Sequence, residues 1–242
     1  MKYLWRKVGI ADSGSDQQIT FNLIFQLFMF PNVSYPTFKQ IFMNRTRLEA
    51  FSDGVLAIII TIMVLEIKVP QGSDFNVLKP LIPVVVSYLL SFIYIGIYWN
   101  NHHHMMHTVK HVSGGILWAN LHLLFWLSLV PFTTGWIGEN HFAPIPMALY
   151  GIVLLMAAIA YFILQTQIIR TQGEHSLLAR AIGNDIKGKM SPILYLLAIG
   201  SNFVSQWISG GLYVLVAFIW LIPDKRIEII LKNEPETNHV KK

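Results

Sequence analysis

Two groups of residues in this sequence have types and spacings that do chemistry. The first is His102-His103-His104-Met105-Met106-His107, followed by His111. On a helix, His103, His107 and His111 recur at i, i+4 and i+8 and so share one face. Imidazoles in such an array bind zinc, copper or a haem iron, or titrate close to neutral pH. No neighbouring carboxylate supplies a convincing outer shell for a metal. The cluster therefore reads as structural or pH-modulating and no metal site is assigned, with a histidine-dependent membrane metal or haem protein as the alternative. The second group is Arg47-Leu-Glu-Ala-Phe51-Ser52-Asp53-Gly54, at the head of the apolar run from Val55 to Leu65. Ionisable groups at the mouth of a membrane helix are costly and ask for a reason. Inside protein, the Asp53 charge needs a partner or a proton, and the candidates are Arg47 and a histidine or indole donor from another span.

Behind that polar head, Phe51, Gly54, Ile58, Thr61 and Leu65 fall on one helical stripe with alternating spacings of three and four. Such a stripe packs against identical helices around an axis as coiled-coil seam positions do. If the axis is open, Ile58 and Leu65 form apolar constrictions with a ring of Thr61 hydroxyls between them. Hydroxyls accept a partly dehydrated cation, and apolar rings gate by dewetting. The competing reading is ordinary helix packing, with Thr61 bonded to its own backbone. At about 100° per residue, Ser52 and Asp53 lie more than about 90° from the centre of the stripe and face neighbouring helices. Glu66 stands near the far end, as a carboxylate ring that concentrates cations or as a solvated helix terminus.

The elements that must position these residues are apolar helices. Of 242 residues, 54% are hydrophobic and 13% charged, and mean hydropathy is +0.50. Soluble domains carry about 25% charged residues, so the chain belongs in a bilayer. Apolar segments run over roughly 48–67, 78–99, 114–136, 146–169, 191–206 and 208–223. The first four approach the roughly 20 residues that cross the hydrocarbon core. The last two predict a tight helical hairpin turning at Trp207 to Gly211. With both termini on one side, that side holds all but Lys68 and Lys79 of the 18 Lys and Arg residues. The positive-inside rule then places both termini in the cytoplasm. The net charge of +5 follows from this loop distribution and predicts no nucleic-acid partner. The chain has no cysteine, which removes disulfide frameworks and thiolate metal sites.

Residues 1–42 are predicted to be a loosely ordered or interfacial extension. Gln18 to Phe30 is too short to span and ends at Pro31, no small-residue signal cleavage site follows, and Met43 is an alternative start. Residues 43–225 form the six-helix domain and 226–242 a charged cytoplasmic tail. No serine nucleophile elbow, His-Glu-x-x-His or phosphate-cradling glycine loop occurs, so no enzyme is predicted.

The polar head and its partners resemble the endolysosomal and prokaryotic potassium channel family called transmembrane protein 175. The family motif Arg-x-x-x-Phe-Ser-Asp is met by Arg47, Phe51, Ser52 and Asp53, and its Trp-x-x-His by Trp99-Asn-Asn-His102. An aromatic residue usually follows that histidine by four positions, where this chain has Met106. The likeness continues through Leu117-Trp-Ala-Asn120-Leu and Pro131-Phe132-Thr133-Thr134 and covers about residues 43–225. It implies a cation channel with first helices around the pore, prokaryotic members being tetramers of six-span subunits. It carries the pore-lining role to Ile58, Thr61 and Leu65. It carries a helix-orienting hydrogen-bond network to Arg47, Phe51, Ser52, Asp53, Trp99, His102 and Asn120. No Thr-Val-Gly-Tyr-Gly filter is present, so selectivity rests on Thr61 and the apolar rings. Proton permeation, known in some members, stays open. The expected protein is thus an all-α membrane protein with six transmembrane helices per subunit. It is a homo-oligomer, a tetramer, in the cell membrane, conducting monovalent cations with K+ as permeant ion and no cofactor.

Overall fold

The computed structural model describes residues 44–173, 176–182 and 185–221, all within one compact unit. The extension 1–42 and the tail 226–242 lie outside the described residues. Every regular element among those described is helical.

Helix α1, Arg45–Leu65, starts where the Asn44 side chain accepts a hydrogen bond from the Thr46 amide at 3.2 Å, satisfying an orphan donor of the first turn. Its 21 residues extend about 30 Å, the thickness of a hydrocarbon core. A 3-10 helix, Phe75–Leu81, leads into α2, Ile82–His107, with Pro83 in its first turn, where no amide is needed. α2 runs well past Trp99 and through the histidine run. Polar side chains end a hydropathy window, yet they do not end a helix whose backbone bonds are made.

The predicted third span is two helices, α3 (Gly114–Ser128) and α4 (Val130–Glu139). Pro131 has no amide to give the preceding turn, and the helix breaks just ahead of it. α5, Pro144–Gln172, is entered at Pro144 and left at Gly173, whose φ of +95° suits a residue without Cβ. A one-and-a-half-turn helix, α6 (Leu177–Ile182), precedes α7 (Ile186–Ser201) and α8 (Gln206–Leu221).

Among the described residues, four helical stretches have the length and apolarity to cross a membrane: Arg45–Leu65, Phe75–His107, Gly114–Glu139 and Pro144–Gln172. The predicted fifth and sixth segments are α7 and α8, of 16 residues each. Their hairpin turns at Asn202 to Ser205, where the Val204 and Ser205 amides donate to the Ser201 carbonyl at 2.9 and 2.8 Å. Trp207 to Gly211, predicted as the turn, is helical. The Gly210-Gly211 pair misleads because glycine is common inside membrane helices.

α5 is central, packed against α3, α4 and α7, while α8 closes over α7 and reaches α2. Buried tyrosines lock this side: Tyr94 donates to the Tyr213 carbonyl at 2.6 Å, and Tyr213 to the Met147 carbonyl at 3.0 Å. α1 rests on α2, α3 and α4 at the rim. It is 28% buried against 44% for α5, so one face alone is covered. That face is Leu48, Ser52, Leu56, Ile59 and Met63.

α4 approaches α2 closely at Gly138, where an added Cβ falls 2.6 Å from the Val84 Cα. At Gly96 an added Cβ meets nothing within 4 Å. Gly138→Ala is expected to destabilise the fold by about 1–3 kcal/mol through overpacking against backbone. Gly96→Ala should leave stability unchanged or raise it, as thermal unfolding of the detergent-purified variants will show.

Candidate functional site

The polar head of α1 is built as a ladder. Arg45, Glu49 and Asp53 recur every four residues on α1, and Trp99, His103 and His107 recur every four on α2. Because α2 runs back alongside α1, the rungs meet in reverse order. Arg45 Nη1 donates to the His107 carbonyl at 3.1 Å. Glu49 Oε1 lies 2.9 Å from His103 Nδ1 and 3.7 Å from His107 Nε2. Trp99 Nε1 donates to Asp53 Oδ1 at 3.0 Å. The indole donor anticipated for Asp53 is therefore Trp99.

At the same level, on the covered side of α1, three helices share a buried relay. Ser52 Oγ donates to the Leu48 carbonyl at 2.9 Å and accepts from Asn120 Nδ2 at 2.9 Å. Asn120 Oδ1 then faces His102 Nε2 at 2.7 Å. The sense of the relay is forced. The Ser52 hydrogen is spent on its own helix, so Asn120 must offer its amino group there and its carbonyl oxygen to His102. His102 therefore carries its proton on Nε2, and its Nδ1 has no partner among the described residues. Ser52 and Asn120 are fully buried and His102 nearly so, which places these hydrogen bonds in a low-dielectric interior.

Of the residues predicted to orient the helix, the structure brings together Ser52, Asp53, Trp99, His102 and Asn120. Arg47 is exposed and its side chain makes no hydrogen bond or ion pair among the described residues, and Phe51 is half-exposed. Sequence reasoning missed Arg45 and Glu49. The signal that finds them is the pair of i, i+4 polar series on consecutive helices. Two expectations for the histidines are corrected. A carboxylate does sit beside them: Glu49, brought by the fold from more than 50 residues upstream. His111 does not continue the face of His103 and His107, because α2 stops at His107. There the Thr108 hydroxyl takes the Met105 carbonyl at 2.7 Å and Gln172 caps the Lys110 amide at 3.1 Å. His122 stands elsewhere, accepting from Trp126 Nε1 at 2.9 Å.

The ladder and relay fix which way the rest of α1 faces. Ile58 is 58% exposed and Leu65 78% exposed, and Thr61 is exposed between them. All three point away from the helices that α1 packs on. Thr61 Oγ1 donates to the Ile58 carbonyl at 2.8 Å. This is the backbone bond of the packing reading, and it also turns the hydroxyl's lone pairs outward as acceptors. Beside this face, Ile58, Ile62 and Glu66 of α1 and Phe132 and Trp136 of α4 line a mostly apolar groove of 590 Å³.

Asn120→Ala removes both side-chain links of the relay and strands the His102 ring. Hydrogen bonds between membrane helices contribute about 0.6–1.7 kcal/mol each, so a loss of roughly 1–3 kcal/mol is expected. A lowered melting temperature of the purified protein checks it, with Asn101→Ala, whose side chain donates only to its own helix at Ile97, as the comparison.

Residues 47–131 match the family described as "Endosomal/lysosomal potassium channel TMEM175". A protein of Chryseobacterium sp. (strain P1-3) named as a potassium channel is 62% identical over 78% of this chain and 99% of its own length. One of Streptomyces collinus, named likewise, is 32% identical over 72% of this chain and 90% of its own. The crystal structure of a lysosomal potassium-selective channel TMEM175 homologue from Chamaesiphon minutus superimposes with a TM-score of 0.64 at 31% identity, covering 74% of this chain and 97% of that one. With Arg47 to Asp53 of α1 inside the matched region and these relatives matched over nearly their whole length, this chain belongs to the TMEM175 family of ion channels.

Proposed function

We propose that the protein is a potassium-selective channel of the leak type, conducting K+ passively along a path lined by α1 of each subunit in a homotetramer. The observation that carries this reading is the exposed face of α1. Ile58, Thr61 and Leu65 are turned outward by a helix whose opposite face is tied to its own bundle. A single helix encloses nothing, so the path needs several copies. The groove between α1 and α4 offers an apolar seat for a neighbour's helix. Potassium channel names among the relatives and the potassium-selective homologue support the choice of ion.

In this scheme each subunit crosses the membrane six times, with α7 and α8 as the last pair and both termini cytoplasmic. The distribution of Lys and Arg supports that orientation, and the cell membrane is the proposed location. Potassium sheds part of its water at a ring of Thr61 hydroxyls, whose lone pairs face the axis. It then passes the Ile58 and Leu65 rings, whose apolar walls set a dewetting barrier. Arg47 and Phe51 face the vestibule or an adjacent subunit. A mouse relative named as a proton channel matches over 36% of this chain, so proton flux belongs in the same experiment.

Purified protein in liposomes is expected to pass K+ in preference to Na+. Thr61→Ala should lower the K+ over Na+ ratio about 3- to 10-fold, equivalent to about 0.7–1.4 kcal/mol, while Thr61→Ser keeps it. No K+ flux from correctly assembled protein would overturn the function, and an unchanged ratio in Thr61→Ala would overturn the role of Thr61.

A further inference from the structure

The head of α1 holds a set of ligands that the ladder alone does not account for. One ligand atom from each of Glu49, His103 and His107 lies within 4.8 Å of the other two. His103 Nδ1 approaches Glu49 Oε1 to 2.9 Å, an ion pair when the ring is protonated. His107 Nε2 stands 3.7 Å from the same oxygen, too long for a hydrogen bond, and converges on that point. Donor atoms bound at about 2.0–2.1 Å to a tetrahedral ion stand about 3.3 Å apart, and the two observed distances bracket that value.

We propose that Glu49, His103 and His107 form a binding site for one divalent transition-metal ion of the zinc class per subunit. Two imidazoles and one carboxylate leave a fourth position for water, the pattern of an open zinc site. Oxygen-seeking Mg2+ and Ca2+ are poorly served by two nitrogens. The supports are present. His103 stacks on Trp99 with ring planes 26° apart, and Trp99 is held by Asp53. His107 sits on the turn whose carbonyl takes Arg45. The His103 and His107 side chains are 39% and 41% exposed, so the rings can turn the remaining distance and an ion can enter from water. The adjacent Arg45 guanidinium opposes a cation, and the Glu49 and Asp53 carboxylates on the same face of α1 offset it. His104, edge-on to His103, is outside the ligand set.

An ion here bridges α1 to α2. Glu49 precedes Thr61 by twelve residues, or about 18 Å of helix, so the site is separate from the proposed constriction and acts on how α1 is held. Binding is measurable without any flux and so stands apart from the channel reading.

Calorimetric titration of ZnCl2 into the full-length protein, purified metal-free in detergent, should show one ion per subunit, and MgCl2 should show none. Glu49→Gln is expected to weaken zinc binding at least tenfold, and Glu49→His, which keeps a ligand, to retain it. His104→Gln and His111→Gln should bind as the parent does. Should Glu49→Gln fail to assemble, His107→Gln serves the same comparison, since its main-chain bond to Arg45 does not need the ring. Zinc binding that survives Glu49→Gln, or that is lost in His104→Gln or His111→Gln, would mean adventitious capture by the histidine run and would overturn the site.

Discussion

The covered face of α1 is the constraint on which the rest depends. A rim helix in a bilayer finds no hydrophobic drive to choose one rotation over another, because lipid is as apolar as its neighbours. Rotation must be set by groups that have only one place to go. Here those are Arg45, Glu49, Ser52 and Asp53, which meet partners on α2 and α3 over the first two turns and a half. The relay from Ser52 through Asn120 to His102 is the most demanding part, since each donor has a single available acceptor and the whole chain is buried. A rotation of α1 by one residue breaks it at Ser52.

The remainder of the fold keeps those partners in register. α3 must present Asn120 at the level where α2 presents His102, and both helices are fixed from behind by α5 and α4. The break ahead of Pro131 lets α4 lean onto α2, where Ser91 meets Thr134 at 2.6 Å and Tyr150 at 3.0 Å. The tyrosine contacts carry the same anchoring out to α8. The charged Lys68–Glu139 pair at the far end is solvent-exposed and contributes little. Orientation of α1 is therefore decided at one end, and the apolar run behind it follows.

Much of this was legible in the sequence because membrane helices announce themselves by length and apolarity. The four long helices fall where the apolar segments do, and the stripe through Ile58, Thr61 and Leu65 is the exposed face. Trp99, His102 and Asn120 came through the family motifs, and no periodicity could have paired His102 and Asn120 with Ser52. What stayed hidden was tertiary or marginal. Glu49 looked like one charge in a helix until α2 brought two imidazoles to it. α2 outran its apolar segment because histidines continue a helix that a hydropathy window has already closed. The Gly210-Gly211 pair mimicked a turn, whereas the true reversal at Asn202 to Ser205 carries weaker turn chemistry.

On the proposed function, the clamped head turns the Ile58, Thr61 and Leu65 face of α1 toward a water-filled ion path. The parent chain has no cysteine, so single cysteines placed along α1 report water access without background. The direct measurement is potassium flux in proteoliposomes before and after a small thiol-reactive cation, for Thr61→Cys and for Ile59→Cys on the covered face. Thr61→Cys is expected to be blocked and Ile59→Cys to conduct unchanged. Block at Ile59 with Thr61 unaffected would contradict that orientation.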